Sequence, residues 1–263
     1  MKIPFLPQKP TVATVRLSGM ISASGRGSLN DRAIGPVLDR AFKKGKPSAV
    51  ALLINSPGGS PVQSSLIGAR IRRLADETNV PVYAFVEDVA ASGGYWIAVA
   101  ADEIYADATS IVGSIGVISA GFGFQDLIAR HGVERRVHTA GKSKSTLDPF
   151  QPQKPEDIER LHRILNEMHG AFQDHITARR GARLVGDQDL YTGEFWTGQS
   201  AVDLGLIDGL GHLDDVMRQQ FGDKVRYRHY GVKKSLGQRI GMAIADDVTT
   251  YVQERAAFAQ FGL

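Results

Sequence analysis

Two continuous apolar runs, each followed by a glycine turn and a helical pattern, constrain the fold of this chain more than any other feature. The runs lie at 49–54 and 82–86, and the turns after them are Asn55-Ser-Pro-Gly-Gly-Ser60 and Ser92-Gly-Gly94. Uninterrupted apolar runs are typical of strands that are buried on both faces, as in parallel sheets. The repeated strand–turn–helix units therefore predict right-handed crossovers and an α/β fold with a mainly parallel sheet.

Further elements fit this architecture. An alternating run at 11–17 predicts a first strand, and apolar residues spaced by three or four predict a long helix over 155–181. A short strand is predicted at 115–118 and an edge strand at 225–230.

The chain divides into one α/β domain, residues 1–232, and an amphipathic C-terminal tail, residues 233–263. We expect the tail to add helices that pack on the body or on a neighbouring subunit. Its apolar face is formed by Leu236, Ile240, Ile244, Val248, Tyr251 and Val252.

The composition excludes several classes of function. The chain has 263 residues, a formal net charge of +3 and no cysteine. A surplus this small and this dispersed argues against nucleic acid as a partner, and without cysteine there are neither disulfides nor thiolate zinc sites. No run approaches the length of a membrane span, and the first ten residues, with three prolines, do not form a secretory signal. A cytoplasmic location is expected.

The serine at the second turn has two roles open to it. Ser92 lies between the run at 82–86 and an apolar segment, 95–101, that suits a buried helix. Two glycines after it allow a sharp turn and the close approach of a substrate, and the first amides of the helix favour negative charge there. Ser92 is therefore either the N-cap of the helix or a nucleophile, and this stretch alone favours the cap.

Three glycine turns are expected to meet at one edge of the sheet, because the carboxyl ends of parallel strands lie together. They are 56–59, 92–94 and 113–116. Amides of Gly59 and Gly93 could converge there as an oxyanion hole. The alternative is that each turn serves only the crossover geometry.

A nucleophilic serine needs a base, and histidine is not an obvious one here. None of the seven histidines lies in a distinctive motif, three of them sit on the long helix, and no H-E-x-x-H spacing occurs. The sequence predicts neither a metal nor a cofactor. Lysine can act as a base only where burial lowers its pKa. The candidate segment is 139–146, whose alternative role is a solvated loop.

Five motifs in order carry a resemblance to a known family. They are Ile54-Asn-Ser-Pro-Gly-Gly-Ser60, Ala90-Ala-Ser-Gly-Gly-Tyr95, Gly113-Ser-Ile-Gly-Val117, Gly141-x-x-Lys144 and Ala201-x-x-Leu-Gly-Leu-Ile-Asp208. Together, over about 12–211, they resemble the signal peptide peptidase A family of serine-lysine proteases.

The resemblance implies a fold, a reaction and a site. The fold is of the ClpP/crotonase type, and the reaction is cleavage of peptides such as signal-peptide remnants or unfolded and membrane-associated proteins. Ser92 resembles the nucleophile, Lys144 the general base and Ser114 a hydroxyl that orients the lysine, while Gly59 and Gly93 resemble the oxyanion-hole donors. The resemblance further implies a homo-oligomeric ring in which neighbouring protomers complete each site.

The chain departs from the family pattern in two ways. Family members usually carry a membrane anchor or signal ahead of this domain, and from the residues before 11 we expect none in this chain. Peripheral contact with the inner membrane is therefore left open. Lys142 lies two residues before Lys144, so that either could be the base.

Two other classes remain as alternatives. A crotonase-type acyl-CoA enzyme shares the oxyanion geometry but needs acidic catalytic residues, and a catalytically silent assembly protein could share the fold. A true ClpP is disfavoured because no histidine occurs between Gly93 and Arg130. The segment 256–263 could be a helix end packed on a neighbour or an extended strand lying in the catalytic groove.

Overall fold

A computed structural model describes residues 9–24, 28–186, 188–232, 252 and 255–263. The strands and helices follow one another as β1 (Thr11–Ser18), α1 (Asp31–Lys43), β2 (Ala49–Ser56), α2 (Pro61–Thr78), β3 (Val82–Ala91), α3 (Gly93–Val99), β4 (Glu103–Ala106), β5 (Ile111–Gly113), α4 (Gln125–Arg130), α5 (Pro155–Arg180), β6 (Phe195–Thr197), α6 (Gly198–Asp203), β7 (Gly209–Leu210), α7 (Leu213–Phe221) and β8 (Arg226–Tyr230).

The strands form one sheet, as the apolar runs predict. Its order is β6-β5-β3-β2-β1-β8, with β4 between β3 and β7. All pairs are parallel except β5 with β6. The mainly parallel α/β architecture is thereby confirmed, and the predicted edge strand is β8, which pairs with β1.

Strand β3 positions the site because it pairs with two strands, β4 and β5, along the same edge. Its first half pairs with β4, from Tyr83 to Val86. Its last three residues, which end at Ala91, pair with β5. The chain leaves β3 at the carboxyl edge of the sheet and enters α3 directly, so Ser92 lies at that edge.

Both faces of the sheet carry apolar cores. The larger core contains the inward side chains of α1, α2 and α3 and the second half of α5, among them Phe42, Ile71, Tyr95 and Ile176. The smaller one lies on the opposite face under α7, around Phe85 and Met217. None of the helices described here is both long enough and apolar enough to span a lipid bilayer.

One part of the molecule has no core of its own. The stretch 117–156 contains no buried residue, and Ile118 and Phe122 have 85% and 80% of their surface exposed. We call residues 117–154 the arm. It leads into α5, whose first half also exposes apolar side chains such as Ile164 and Met168.

One sequence expectation is wrong, and a second falls mostly outside the described residues. The strand expected at 115–118 is wrong: β5 occupies Ile111–Gly113, and positive φ angles at Gly113 (109°) and Ser114 (53°) turn the chain away from the sheet. Most of the amphipathic tail, 233–251 and 253–254, lies outside the described residues. The boundary between domain and tail at 232 therefore stays a prediction.

The described end of the tail is helical rather than extended. Residues 255–259 are helical, and the rings of Phe261 and Phe195 meet edge to face with centroids 5.1 Å apart. Of the two alternatives considered for 256–263, the extended strand is therefore wrong.

The last of the five motifs ends in Asp208, which forms an ion pair with a buried arginine. Arg180, at the end of α5, has a side chain that is 2% exposed and lies 2.8 Å from the Asp208 carboxylate. The Arg180 guanidinium also donates to the Gly205 carbonyl. Asp208 in turn accepts from the amide of Ile104 at 2.7 Å. This pair joins α5 to the sheet.

Replacing Asp208 by alanine should strongly destabilise the fold. Arg180 would be left buried without its counter-charge, and removing one partner of a buried pair costs about 3–5 kcal/mol. Urea denaturation should show a lower midpoint with an unchanged slope. Asp203→Ala is the matched control, because among the described residues the Asp203 carboxylate accepts a hydrogen bond only from Gln199. Equal midpoints for the two variants would contradict the assigned role.

Candidate active site

Ser92 has an unusual backbone conformation at the junction of β3 and α3. Its amide still donates to the Gly113 carbonyl at 2.8 Å, which extends the ladder between β3 and β5 by one bond. Its φ of 51° and ψ of −118° are rare for a residue with a side chain. Such strain persists only where the surrounding structure imposes it, and it clusters at functional sites.

The Ser92 side chain does not cap α3. No hydrogen bond joins it to the first turn of that helix. The N-cap role that the local sequence favours is therefore wrong: a capping residue usually has extended backbone angles, whereas the φ of Ser92 is positive. The half-buried hydroxyl instead faces a cavity.

Close packing brings the first two glycine turns together. A Cβ built on Gly93 would lie 2.3 Å from the Ser64 hydroxyl and 3.4 Å from the Gly59 amide nitrogen. A side chain at this position would displace the Ser64 hydroxyl, and its absence lets the backbone of Gly93 lie close to the Gly59 amide.

Those two amides are available to a ligand. Within the described ranges, neither Gly59 nor Gly93 donates a hydrogen bond to another residue. Gly59 is held by its neighbours, since Ile21 donates to the Gly58 carbonyl at 2.8 Å and Ser60 donates to Ile21 at 2.8 Å. Two fixed donors beside a serine hydroxyl are the arrangement that an oxyanion hole requires.

The third turn also lies at the junction of β3 and α3, which we call the Ser92 corner. The Ser114 amide donates to the Glu194 carbonyl at 2.7 Å, and Ser114 lines the cavity together with Ser92. From α5, His169 Nε2 lies 3.3 Å from the Ile115 carbonyl and so fixes the chain just beyond Ser114. The carboxyl edge of the sheet thus collects all three turns, as the parallel topology predicts.

The cavity beside Ser92 has a volume of about 600 Å³. Its lining combines residues of the three turns with the apolar side chains of Trp96, Met168 and Phe172. Trp96 lies four residues after Ser92, on the same side of α3, and its ring centroid is 5.0 Å from that of Phe172. The cavity can therefore hold a peptide with an apolar side chain.

Lys144 lies apart from this cavity in the single chain. It is exposed and is not one of the lining residues. The arm that carries it is held at the start of α5, where Thr146 and Arg160 both bond to Asp157. Asp157 is roughly 16 Å along the helix from Met168, at 1.5 Å per residue. The chain brings Ser92, Ser114, Gly59 and Gly93 together and leaves Lys144 outside.

Sequence reasoning did not find every residue of the site. The pairing of Ile21 with Gly59 depends on a long-range bridge that no local pattern indicates. Thr192 and Gly193 reach the cavity from the segment before β6. Trp96 could have been found, because a residue four positions after a serine at a helix start lies on the same helix face.

Burial lowers the pKa of one histidine next to the cavity. The His175 ring stacks on Trp96 with centroids 4.6 Å apart, and its Nε2 lies 3.1 Å from the Trp96 carbonyl. A carbonyl only accepts, so Nε2 carries the proton of the neutral ring. Desolvation lowers the pKa of His175 below its ordinary 6.5, and Arg179 acts in the same direction, while the bond to Trp96 opposes them.

This lowered pKa should make folding stability depend on pH. As the pH falls below about 6.5, the imidazole of the unfolded chain takes up a proton before that of the folded chain, so the free energy of unfolding falls. The loss continues until the lower, folded-state pKa is reached. The loss on going from pH 7.5 to pH 5.5 should be smaller in His175→Gln. Thermal melts at the two pH values would measure it, and equal losses would contradict this assignment.

The fold and the corner define a class: an α/β protein with a serine hydroxyl and two amides, unbonded within the described part of the chain, at the carboxyl edge of a mainly parallel sheet. The sequence model of peptidase family S49 matches residues 75–224, more than half of the 263 residues. The chain belongs to this family. Membership confirms the resemblance and the ClpP/crotonase-like fold predicted from the sequence.

Individual relatives differ in how much of them this chain covers. A protein of Brucella abortus (strain 2308) named Na(+)/H(+) antiporter NhaA is 48% identical over 98% of this chain and 38% of its own length. The chloroplastic serine protease SPPA of Arabidopsis thaliana is 32% identical over 75% of the chain and 29% of its own length. The probable protease SohB of Haemophilus influenzae is 30% identical over 89% of the chain and 65% of its own length.

The chain thus spans well under half the length of the first two of these relatives. This chain spans only 38% of the protein named as an antiporter, so that name does not assign a function to this chain. The family match and the protease names of the other two relatives agree with each other.

Proposed function

We propose that this chain is a serine-type endopeptidase that cleaves peptides through a Ser92–Lys144 dyad. The observation that carries the proposal is the Ser92 corner. It contains a serine hydroxyl that does not cap the helix, in a rare backbone conformation, next to two amides that have no acceptor among the described residues. That corner suits attack on a carbonyl. Membership in peptidase family S49 supports the peptide bond as the target.

The proposed reaction has two halves. Ser92 Oγ attacks the scissile carbonyl while Lys144 Nζ takes the hydroxyl proton, and the amides of Gly59 and Gly93 stabilise the oxyanion. The intermediate then breaks its C–N bond as the lysine passes that proton to the leaving amine. A water molecule then attacks the acyl-enzyme ester while the same lysine takes its proton. The C–O bond to Ser92 breaks, and the lysine returns the proton to Ser92 Oγ, which releases the peptide acid and regenerates the serine.

Lys144 is proposed to come from a neighbouring copy of the chain. A lysine acts as a base near neutral pH only where burial favours its uncharged amine. In the single chain Lys144 lies on the arm and is exposed. A second copy that covers the arm and the first half of α5 would bury Ile118, Phe122 and Ile164 and bring the lysine to a Ser92 cavity. Closed homo-oligomers are the common form of such self-association. Ser114 would orient the lysine.

The proposed substrates are peptides in extended form, such as signal-peptide remnants or segments of unfolded and membrane-associated proteins. An apolar lining at Trp96, Met168 and Phe172 fits this class. The proposed setting is the cytoplasm, with peripheral contact at the inner membrane, and nucleic acid is not a proposed partner.

A fluorophosphonate probe tests the proposal against a catalytically silent assembly protein. The assembled protein should be labelled on Ser92, as identified by peptide mass spectrometry, and Ser92→Ala should not be labelled. Labelling at another residue, or none, would overturn the role of Ser92. Turnover of acyl-CoA without hydrolysis of peptides would favour the crotonase-type alternative.

A further inference from the structure

The amino edge of the sheet, opposite the active-site corner, gathers basic side chains from three distant parts of the chain. The starts of β1, β2 and β8 lie side by side there. The Arg226 amide donates to the Pro10 carbonyl at 2.9 Å, and the Ser48 amide donates to the Thr11 carbonyl at 2.8 Å. Helix α1 ends at the same place, since only the short connection 44–48 separates it from β2. We call the exposed cations of this region the basic edge: Lys9, Lys43, Lys44, Lys46, Lys224, Arg226 and Arg228.

Contacts between α1 and β8 hold part of the basic edge together. Arg228 Nη1 donates to the Lys44 carbonyl at 3.4 Å, and the Tyr230 hydroxyl donates to the same carbonyl at 3.1 Å. A Cβ built on Gly45 would collide with the Arg228 guanidinium, so a glycine is needed for this approach. The cations of the turn after α1 and of β8 therefore lie next to each other.

The basic edge has few counter-charges. Within the described ranges, Lys43 is the one member of it that forms an ion pair, with Glu77 at 3.6 Å, and Glu77 also pairs with Arg73. Asp223 precedes Lys224 in the chain but forms no ion pair with it. Like charges that are held together repel and lower stability. Such a cluster therefore suits a surface that meets anions.

We propose that the basic edge docks this chain on an anionic lipid surface. The inference rests on the proposed function for its membrane setting, and it adds the surface and the chemistry of the lipid. The negative potential of a leaflet attracts each Lys or Arg side chain near it by about fivefold in binding. This attraction extends over about 10 Å at about 0.1 M salt, so the cations need not contact individual head groups.

The composition of the edge favours lipid over nucleic acid. Five of its seven members are lysines. Lysine is a mobile point charge that suits a surface with many head groups, whereas arginine is the usual residue for fixed recognition of a phosphate. The rings of Tyr227 and Tyr230 on β8 are half-buried and so are poor platforms for stacked bases.

Docking through this edge leaves the active site open. Strand β2 runs from the basic edge to the first glycine turn over eight residues, which is about 26 Å at about 3.3 Å per residue. The arm and the first half of α5, which a second copy is proposed to cover, contribute none of the seven cations. Docking and assembly therefore use different surfaces.

Helix α1 supplies a matched pair of variants. Lys44 follows its last residue at the basic edge, and Arg32 lies in its first turn, about 18 Å away at about 1.5 Å per residue. Both side chains are exposed, and neither forms an ion pair within the described part of the chain. Lys44→Glu and Arg32→Glu change the net charge of the chain equally and differ in the place of the change. Lys224→Glu provides a second variant at the edge, from another segment.

Sedimentation with lipid vesicles measures the docking. The full chain should bind vesicles of phosphatidylcholine with about 30% phosphatidylglycerol, and binding should fall steeply as salt is added. Lys44→Glu should bind about thirtyfold more weakly than Arg32→Glu, because it removes two units of charge worth about fivefold each. Lys224→Glu should show a similar loss. Vesicles of pure phosphatidylcholine should not bind the chain.

Several results would overturn the docking surface. Equal binding of Lys44→Glu and Arg32→Glu, or equal binding to charged and neutral vesicles, would show that the basic edge does not hold the chain on lipid. Inorganic phosphate that competes more strongly than sodium chloride of equal ionic strength would indicate a discrete phosphate site instead. Tighter binding to duplex DNA than to the vesicles at the same salt, lost in Lys44→Glu, would assign the edge to nucleic acid.

Vesicle binding is independent of catalysis, so the two proposals can fail separately. Ser92→Ala should bind the vesicles as the unmodified chain does. A chain whose Ser92 reacts with a fluorophosphonate but which does not bind charged vesicles would overturn the docking surface alone. A chain that binds the vesicles through the basic edge but is not labelled on Ser92 would support the docking surface and overturn the proposed function.

Discussion

Ser92→Ala should lower kcat for peptide hydrolysis by more than about 10⁴-fold, since loss of a nucleophilic serine removes the covalent route entirely. The chain should remain folded. Because the Ser92 side chain makes no capping bond to α3, its replacement should change the free energy of unfolding by no more than about 0.5 kcal/mol. Steady-state kinetics and urea denaturation of the same preparation would measure both quantities.

Ser92→Gly is the informative companion of that variant. Glycine ordinarily costs about 0.5–1 kcal/mol relative to alanine through the entropy of the unfolded chain. At φ 51° and ψ −118°, however, a residue with a Cβ is strained by about 1–3 kcal/mol. Ser92→Gly should therefore be inactive and at least as stable as Ser92→Ala. Full activity of a folded Ser92→Ala protein, or a clearly less stable Ser92→Gly protein, would contradict this account of the corner.

The sequence was sufficient to predict the corner's position because its causes are local. The apolar runs that become β2 and β3 indicate buried parallel strands, and parallel strands of one handedness place their carboxyl ends at one edge. From this alone, the turns at Gly59, Ser92 and Ser114 could be expected to meet. The long α5 was equally visible, because its apolar spacing persists over many turns.

The conformation of the corner could not be predicted, because its causes are distant in sequence. Ser92 takes its positive φ where β3 pairs with β5, a strand that follows about 20 positions later in the chain. Gly59 is held by Ile21, 38 positions earlier. Local pattern favoured a cap at Ser92 because serine before a helix usually is one. The same limitation explains the error at 115–118, where apolar residues suggested a strand but Ser114 turns the chain away.

Lys144→Ala should lower kcat about as strongly as Ser92→Ala, because a nucleophile and its base act as one unit. Lys142→Ala is the matched control. Both lysines are exposed and lie on the same arm, so a general effect on the charge or the folding of the arm would appear in both variants. Loss of activity in Lys142→Ala alone would show that the base is Lys142.

Co-expression of the two inactive variants distinguishes a shared site from one made within a chain. If Lys144 of one copy serves Ser92 of its neighbour, half of the sites in a randomly mixed oligomer have an intact serine. Half of those receive an intact lysine, so about one quarter of the wild-type activity should return. Within a single chain no combination restores both residues, and the mixture would be as inactive as its parents. Separately purified Ser92→Ala and Lys144→Ala proteins provide the baseline. Recovery near one quarter would show that the exposed arm is one half of an active site, and no recovery would place the base within the chain.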